Sequence, residues 1–550
     1  MTDPTELSAQ RSTPEVHPRA LAPRNLVLTI ILSIFGAIVG VQVLASVGIT
    51  PSTSIIGALV AMTLARIPLV VFRGFRSVHA QNLAQTSISS ATFGAANSLF
   101  LPIGIPFLFG LPNMVVPMLI GVSCAMLLDA WLLYRMFDTR PFPARNAWPL
   151  GIAAAETIIA GDQGGKRAAI LGGGIVTGAL GAIFSLPMSA FGVALIANVS
   201  AMIAFAVGLL ILQYCEVLTG WDLTADYVPH GLMIGAGIVA LIQVGRIIFK
   251  SHKDSKAKPD AQQESAAPEL TAESRGTNRN ADDLRLGKAL RLGAGGYLLI
   301  TIALTLGTGI VTQMSVPMLI GFVFYATLAA FVHEFIVGIA AMHSGWFPAF
   351  AIALITLVIG ILIGFPPEAL VVLAGFTAAT GPAFADMGYD LKAGHMLRGE
   401  GKDPRFELDG RRQQMIAGMI GFAVAIVVVL FSYQMYFNEG LTAPINAAYV
   451  AAIHAGVSSE TAVQLLIWAI PGAILQMVGG SKRQLGIMLA TGLLISTPWA
   501  GWLVAAGVAT RLIIKRIYGD KAKQSVEVFA GGVIAGDALY SFGKGVFKAL

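Results

Sequence analysis

The residues best equipped for chemistry in this chain are ionisable and amide side chains lodged in, or wedged between, long apolar runs. Near the middle of the run 317–341, in LAAFVHEFIVGIAAM, stand His333 and Glu334. A charge at the centre of a bilayer costs about 2.5–3.5 kcal/mol on insertion scales, so such residues face protein or a water-filled path. A carboxyl group beside an imidazole in such a place can take up and release protons. The competing reading is a pair satisfied by neighbouring helices, with no part in proton transfer. Adjacent residues point about 100° apart on a helix, so the two need not bond each other.

A second set lies in QNLAQTSISSATFGAANSLFLP. Gln85, Ser89 and Thr92 follow i, i+4, i+7 spacing and form one polar stripe, with Thr86 beside it and Asn82 and Ser90 on its flank. Isolated hydroxyls such as Ser87 and Ser98 are commonly helix-packing groups. A stripe this long is more simply explained as the lining of a pathway. The third set is AFADMGYDLKAGH, from Ala383, with Asp386, Asp390, Lys392 and His395 between two apolar runs. Its charge pattern predicts a cytoplasmic loop over 386–412, following a short apolar run at 369–380. Glu156, Asp162 and Lys166 form the amino-half counterpart. An ordered polar loop beside a re-entrant segment reads as a cytoplasmic gate or packing cap; plain loop-to-loop salt bridging is the alternative.

The elements that must position these groups follow from composition. Of 550 residues, 55% are hydrophobic and 12% charged, and mean hydropathy is +0.74. Soluble domains carry about 25% charged residues. Apolar runs of about 20 residues recur along the chain, the length needed to cross a bilayer core. In lipid every backbone polar group must be bonded within its own segment or barrel, and runs without period-two alternation are helices. The expected fold class is an all-α polytopic membrane protein with about 14–16 transmembrane or half-membrane helices.

Runs are placed at 26–47, 52–71, 83–109, 114–135, 168–186, 188–212, 229–249, 290–311, 317–341, 347–363, 369–380, 415–431, 443–455, 461–478, 485–514 and 526–546. Those at 369–380 and 443–455 are too short to cross and suggest half-helices. Helix breaks are expected at FLPIGIP, GFPPEAL and around Pro498, while LGGGIVTGALG reads as close packing of small residues. Residues 251–283 are charged and lack aromatics, the composition of a disordered connector. The implied plan is a polar cytoplasmic leader (1–25), a membrane half (26–250), a linker (251–288) and a second half (289–550). The string VPMLIG at 116–121 and 316–321 agrees with two related halves.

The net charge of +6 marks no nucleic-acid surface, because Lys and Arg cluster at the ends of apolar runs, as at Arg73, Arg76, Lys482 and Arg483. That pattern predicts a cytoplasmic amino terminus in the plasma (inner) membrane. Counting crossings then fails once. The purely acidic stretch 214–227 falls on the cytoplasmic side, so one segment between 168 and 230 must be re-entrant or wrongly drawn. The two cysteines, Cys124 and Cys215, read as buried small residues. AGDQGGKR is no phosphate loop, since Arg167 follows Lys166 where Ser or Thr is required. No metal or cofactor motif is present.

Two segments resemble a known family. PLGIAAAETIIAGDQGGKRAAILGGGIVTGAL at 149–180 is similar to a conserved-looking stretch of oligopeptide transporter (OPT) proteins, and DMGYDLKAGH with RRQQ at 411–414 resembles that family's D-L-K-T-G-H segment. GITPSTSIIGALVA, QNLAQTSISSATFG and AGDALYSFGKG fit the same family in order. Leu150 stands where the family has Glu, and neither Asn-Pro-Gly nor Lys-Ile-Pro-Pro-Arg occurs, which marks a divergent prokaryotic-type member of the OPT and yellow stripe-like superfamily. The resemblance implies a secondary, proton-coupled importer of small peptides, metal–chelator complexes or related amino-acid-derived compounds, with protons and the bilayer as its partners and oligomeric assembly left open. In that reading Asn82, Gln85, Thr86, Ser89, Ser90 and Thr92 line a passage shared with Glu334 and His333. The alternatives are a lipid-modifying or prenyl-transferring enzyme, for which Asp386/Asp390 is the sole acidic spacing, and a passive channel, which needs no intramembrane carboxylate.

Overall fold

A computed structural model describes residues 17–47, 53–66, 76–254, 272–345, 349–456, 459–495, 497 and 499–549. The described residues form helices joined by turns. In the amino half these are α1 (Pro23–Val47), α2 (Thr53–Arg66), α3 (Val78–Phe93), α4 (Leu101–Leu108), α5 (Val115–Met136), α6 (Pro149–Gln163), α7 (Gly165–Ile183), α8 (Met188–Ile196), α9 (Val199–Thr219) and α10 (Val228–Asp254). The carboxyl half holds α11 (Ala272–Gly307), α12 (Val316–Ser344), α13 (Ala349–Ile363), α14 (Pro367–Ala379), α15 (Pro382–Leu397), α16 (Pro404–Asn438), α17 (Asn446–Ala455), α18 (Ser459–Arg483), α19 (Leu485–Leu493), α20 (Ala500–Tyr518) and α21 (Lys523–Ala549). Nine helical segments among the described residues are long and apolar enough to cross a membrane. The protein is an all-α polytopic membrane protein. Its outward-facing side chains, such as Phe431, Ile470 and Val478, are exposed and apolar, as a lipid-facing surface requires.

One span is interrupted. Pro367–Leu397 comprises α14 and α15 with a break at Thr380–Gly381, and every residue from Ala369 to His395 is buried. Thr380 is extended and Gly381 has φ +94°, a conformation that favours glycine. Pro382 disfavours helical geometry in the residue before it, yet is at home in the first turn of α15. The predicted loop over 386–412 is therefore corrected. Asp386, Asp390 and Lys392 lie on a buried helix, and solvent-side turns occupy only the stretch just after Leu397. Four ionisable residues in close succession mimic a loop in a hydropathy scan, because a scan cannot see that neighbouring helices satisfy them.

The stretch between the runs at 114–135 and 168–186, where no span is placed, folds back into the bundle as a re-entrant segment. Phe137 packs near His395 and Arg411 at the carboxyl end of α15. The chain then dips: Lys392 Nζ donates to the Ala144 carbonyl at 2.8 Å, and the Trp148 amide to the Met342 carbonyl at 2.9 Å. The Trp148 indole fills the space left by Gly388, deeper along α15. α6 returns to bring Glu156 and Asp162 level with Met396 and Lys402.

The crossing count is repaired at α8. Phe191 and Ala194 lie against Gly507, and the Ala197 carbonyl accepts from Arg511, so α8 runs alongside α20 in the same direction. Leu209 lies against Gly501, so α9 runs the opposite way. α8, with only 9 residues, thus turns back inside the bundle at Ala197–Asn198. The turn is satisfied internally: the Asn198 amide donates to the His343 carbonyl at 3.3 Å, and Asn198 Oδ1 accepts from the Ala201 amide at 3.1 Å. With α8 re-entrant, the 183–188 turn and the acidic 214–227 stretch share one end, opposite the end to which α10 runs.

Other breaks follow their residues. Helix continues through Pro102 and Pro106 in α4, preceded by a wide π-helical stretch, Gly94–Phe100. GFPPEAL is the α13–α14 turn, with Gly364 at φ +90°. Pro498 lies outside the described residues. The expected small-residue seam forms: Gly174 and Gly178 let α7 approach the α21 backbone at Phe529, Gly532 and Val533. Of the expected connector, 255–271 lies outside the described residues, and helix reaches its edges at Asp254 and Ala272. The two VPMLIG strings each open a helix, α5 and α12. The halves are interleaved, since α15 packs on α3, α5 and α6, and α16 on α3.

Candidate functional site

Two buried polar clusters sit at successive levels of α15. The deeper one surrounds the break. α5 brings Asp129, α11 brings Tyr297, and α12 brings His333 and Glu334; all four side chains are fully buried. The Tyr297 hydroxyl donates to Asp129 Oδ1, and the Gly381 amide donates to Asp129 Oδ2 at 2.7 Å. That amide is free because the helix is interrupted there, and it begins the amino end of α15, where partial positive charge favours an anion. Neither carboxyl oxygen of Glu334 meets a donor in hydrogen-bonding geometry; Asp129 and Tyr297 are the titratable groups that act on it. His333 is turned away, with Nε2 on the Ala349 carbonyl at 2.7 Å and Nδ1 3.3 Å from Thr380 Oγ1. It pins α12 to α13 and to the break.

The second cluster joins the α3 stripe to α15. Gln85 Nε2 donates to Asp390 Oδ1 at 2.5 Å and Ser89 Oγ to Asp386 Oδ1 at 2.7 Å. Ser54, from α2, lies 3.2 Å from Asp390 Oδ1 and 3.0 Å from Ser89 Oγ. Asn82 Nδ2 supports Gln85 Oε1 at 3.0 Å. Gln414 of α16 donates to Thr86 Oγ1 at 3.1 Å and to the Asp390 carbonyl at 2.7 Å. The chain of contacts continues through Arg398, whose Nη1 donates to Gln414 Oε1 at 2.6 Å, to Glu407 at 2.8 Å. Arg411 then links Glu407 (3.0 Å) to Asp138 (3.6 Å), which is half exposed. An unbroken polar thread thus runs from Asp386 to solvent.

The structure sorts the sequence candidates. Asn82, Gln85, Thr86 and Ser89 join Asp386 and Asp390. Ser90 does not: it packs at Gly418 and Gly421 of α16. Thr92 does not either, because its hydroxyl bonds the Ile88 carbonyl at 2.7 Å and faces Gly36 of α1. A hydroxyl satisfied by its own helix makes no demand on a neighbour. The expected single passage shared by Gln85, Ser89 and Glu334 resolves into two clusters, separated along α15. Lys392 ties α15 to the 138–148 segment. Glu156 pairs with Arg167, which sequence reading passed over, while Lys166 is exposed. Glu156 and Asp162 line a cavity of about 430 Å³ with Arg167, Glu400 and Lys402. Asp129 and Tyr297 were also missed; the available signal was one carboxylate inside an apolar run, MLLDAWLLYR.

At the end of the bundle where the thread emerges, residues 17–22, which lead into α1, are docked on the bundle. The Ala20 amide donates to Gln413 Oε1 at 3.0 Å, and His17 packs on His79 and Phe406. Burial pushes the His17 imidazole down to about 4, opposed by its bond to the Pro18 carbonyl and reinforced by Arg398 and His79. The neutral ring is the docked form. Docking is therefore complete above the unfolded value near 6.5 and weakens as pH falls toward 4. The hydrogen-exchange protection factor at residues 17–22, taken against the intrinsic rate at each pH, is expected to fall between pH 7.5 and 5, and to stay constant in His17→Phe; an equal fall in both would assign the change to other groups.

A family model described as OPT oligopeptide transporter protein matches residues 20–250 and 216–547. No curated protein matches the chain.

Proposed function

From the premise that the chain belongs to the OPT oligopeptide transporter family, we propose a secondary active transporter that couples uptake of small peptides, metal chelates or related amino-acid-derived compounds to protons. The observation that carries this reading is the interrupted α14–α15 span, buried from Ala369 to His395, with carboxyl groups at its break and along α15. Discontinuous helices expose backbone groups that bind ions and substrates at mid-membrane, and they move as units when access alternates. Buried carboxylates in such a place are expensive, and proton relays are their usual use. Glu334 is the coupling carboxyl in this reading, and His333 holds the break beside it. Asp386 and Asp390, with Gln85, Ser89, Asn82 and Thr86, form the polar face that opens toward substrate. Glu156, Asp162 and Lys166 belong to a cytoplasmic gate, with Lys392 tying α15 to the re-entrant segment above it.

A passive channel favours a continuous path and has no use for a deep carboxyl without a donor. Purified protein in proteoliposomes, offered labelled tripeptides or iron chelates with and without an inward proton gradient, tests the proposal. Accumulation above equilibrium only with the gradient is expected. Equal, non-accumulating flux in both conditions would replace the symporter with a channel. The plasma membrane, with the amino terminus and the 255–271 connector cytoplasmic, is the location that fits the basic ends of the helices.

A further inference from the structure

We propose that Asp129 and Glu334 form one proton-sharing pair, bridged by the Tyr297 hydroxyl and latched through the Gly381 amide to the break between α14 and α15. The inference rests on Glu334 as the coupling carboxyl, and it adds that group's partner and the moving part on which both act.

The pair is assembled from helices far apart in sequence, and the bilayer gives no reason to bury either group alone. Tyr297 offers a single hydroxyl proton and gives it to Asp129, so Glu334, beside the same hydroxyl, receives no proton from it in hydrogen-bonding geometry. Around Glu334, α5 contributes Asp129 and α11 contributes Tyr297, while His333 on its own helix is committed to Ala349 and Thr380. Among the described residues, no cation acts on it. Two ionised carboxylates in a low-dielectric interior repel strongly. A closed arrangement of these groups is consistent only with a proton held by the pair.

The latch is the Gly381 amide. A hydrogen bond to a charged acceptor is roughly twice as strong as one to a neutral acceptor. With the proton on Glu334, Asp129 is charged and grips both the Gly381 amide and the amino end of α15. When the proton passes to Asp129 through Tyr297, that grip weakens, and the extended Thr380 and left-handed Gly381 become the natural hinge. Asp129 is thus a positioning residue for α15, and through α15 for Asp386 and Asp390.

The test is infrared difference spectroscopy of the full-length protein in proteoliposomes, following the protonated-carboxyl stretching band across pH, alongside gradient-driven uptake. Interacting carboxyls titrate in macroscopic steps that belong to the pair. The pair is expected to contribute two steps in wild type, beside those of Asp386 and Asp390 that every variant keeps, separated by more than about one pH unit, tenfold in proton affinity. Asp129→Asn and Glu334→Gln should each leave one step, moved from both originals, and Tyr297→Phe should change the separation while keeping two. Asp129→Asn should also lose gradient-driven accumulation. An unchanged Glu334 band in Asp129→Asn overturns the pair; if that variant does not fold, an unchanged separation in Tyr297→Phe does so. Normal accumulation by Asp129→Asn beside failure of Glu334→Gln keeps the coupling carboxyl and overturns the pair. Shifted bands with normal accumulation in Glu334→Gln would keep the pair and sink the coupling reading.

Discussion

Glu334→Gln is expected to reduce gradient-driven accumulation to the equilibrium level while leaving substrate exchange across the membrane intact. The amide has nearly the shape of the carboxylic acid, so the packing of α12 against α5 and α11 is preserved. What it loses is the exchangeable proton. One pH unit is worth about 1.4 kcal/mol, so a one-proton symporter working against a one-unit gradient can sustain about a tenfold accumulation. The variant should hold a ratio near one. Counterflow, in which internal unlabelled substrate drives entry of label, needs conformational cycling but no proton, and should survive. Accumulation at the wild-type level would remove Glu334 from coupling and direct attention to Asp386 and Asp390, two further buried acidic residues, which lie on α15.

The second large effect is on stability, at Glu407. Its carboxylate accepts from Arg398 at 2.8 and 3.2 Å and from Arg411 at 3.0 and 3.3 Å, with His395 at 3.3 Å. The Arg398 side chain is 0% exposed, so water cannot replace what Glu407 supplies. Removing one partner of a buried ion pair leaves an uncompensated charge and costs about 3–5 kcal/mol. Glu407→Ala strands two guanidinium groups and belongs at the upper end, Arg411 being partly relieved by Asp138. Arg398→Met should cost less, because Arg411 still answers the carboxylate. The double variant should fall well short of the sum, as partners in one network do. Denaturant unfolding in detergent measures all three, and a Glu407→Ala protein within 1 kcal/mol of wild type would show that the thread from Gln414 to Asp138 is held by something else.

These two residues illustrate different degrees of legibility. Glu334 announces itself, because a carboxylate in the middle of an apolar run has few explanations. Glu407 does not, since it lies in GKDPRFELDGRRQQ, a stretch any reading would place in water. It is buried because α16 begins with it folded against α15, a contact between segments that no local pattern encodes. The same reason accounts for α15 itself. Its polar residues lower local hydropathy, and only the facing stripe on α3 shows that they are satisfied by protein.

The stripe shows the converse limit. Gln85 and Ser89 have the reach and the direction to meet Asp390 and Asp386, and helical spacing alone put them on one face. Thr92 shares that spacing but bonds its own helix, and Ser90 falls in the seam with Gly418 and Gly421. Periodicity tells which residues share a face, while the identity of the opposing surface decides which of them find partners.

Apolar run lengths, the scarcity of charge and the clustering of Lys and Arg determined by themselves that this is a helical membrane protein, because the bilayer penalises every unsatisfied backbone group wherever it stands in a fold. They also marked Glu334, Gln85 and Ser89 as residues that needed a reason. Tertiary structure alone decided that 138–163 and α8 enter without crossing, that Asp129 and Tyr297 meet Glu334 and the Gly381 amide, and that Asp386 and Asp390 are interior. Those outcomes depend on contacts between segments hundreds of residues apart, and the energy that settles them comes from hydrogen bonds and ion pairs formed only once the helices have packed.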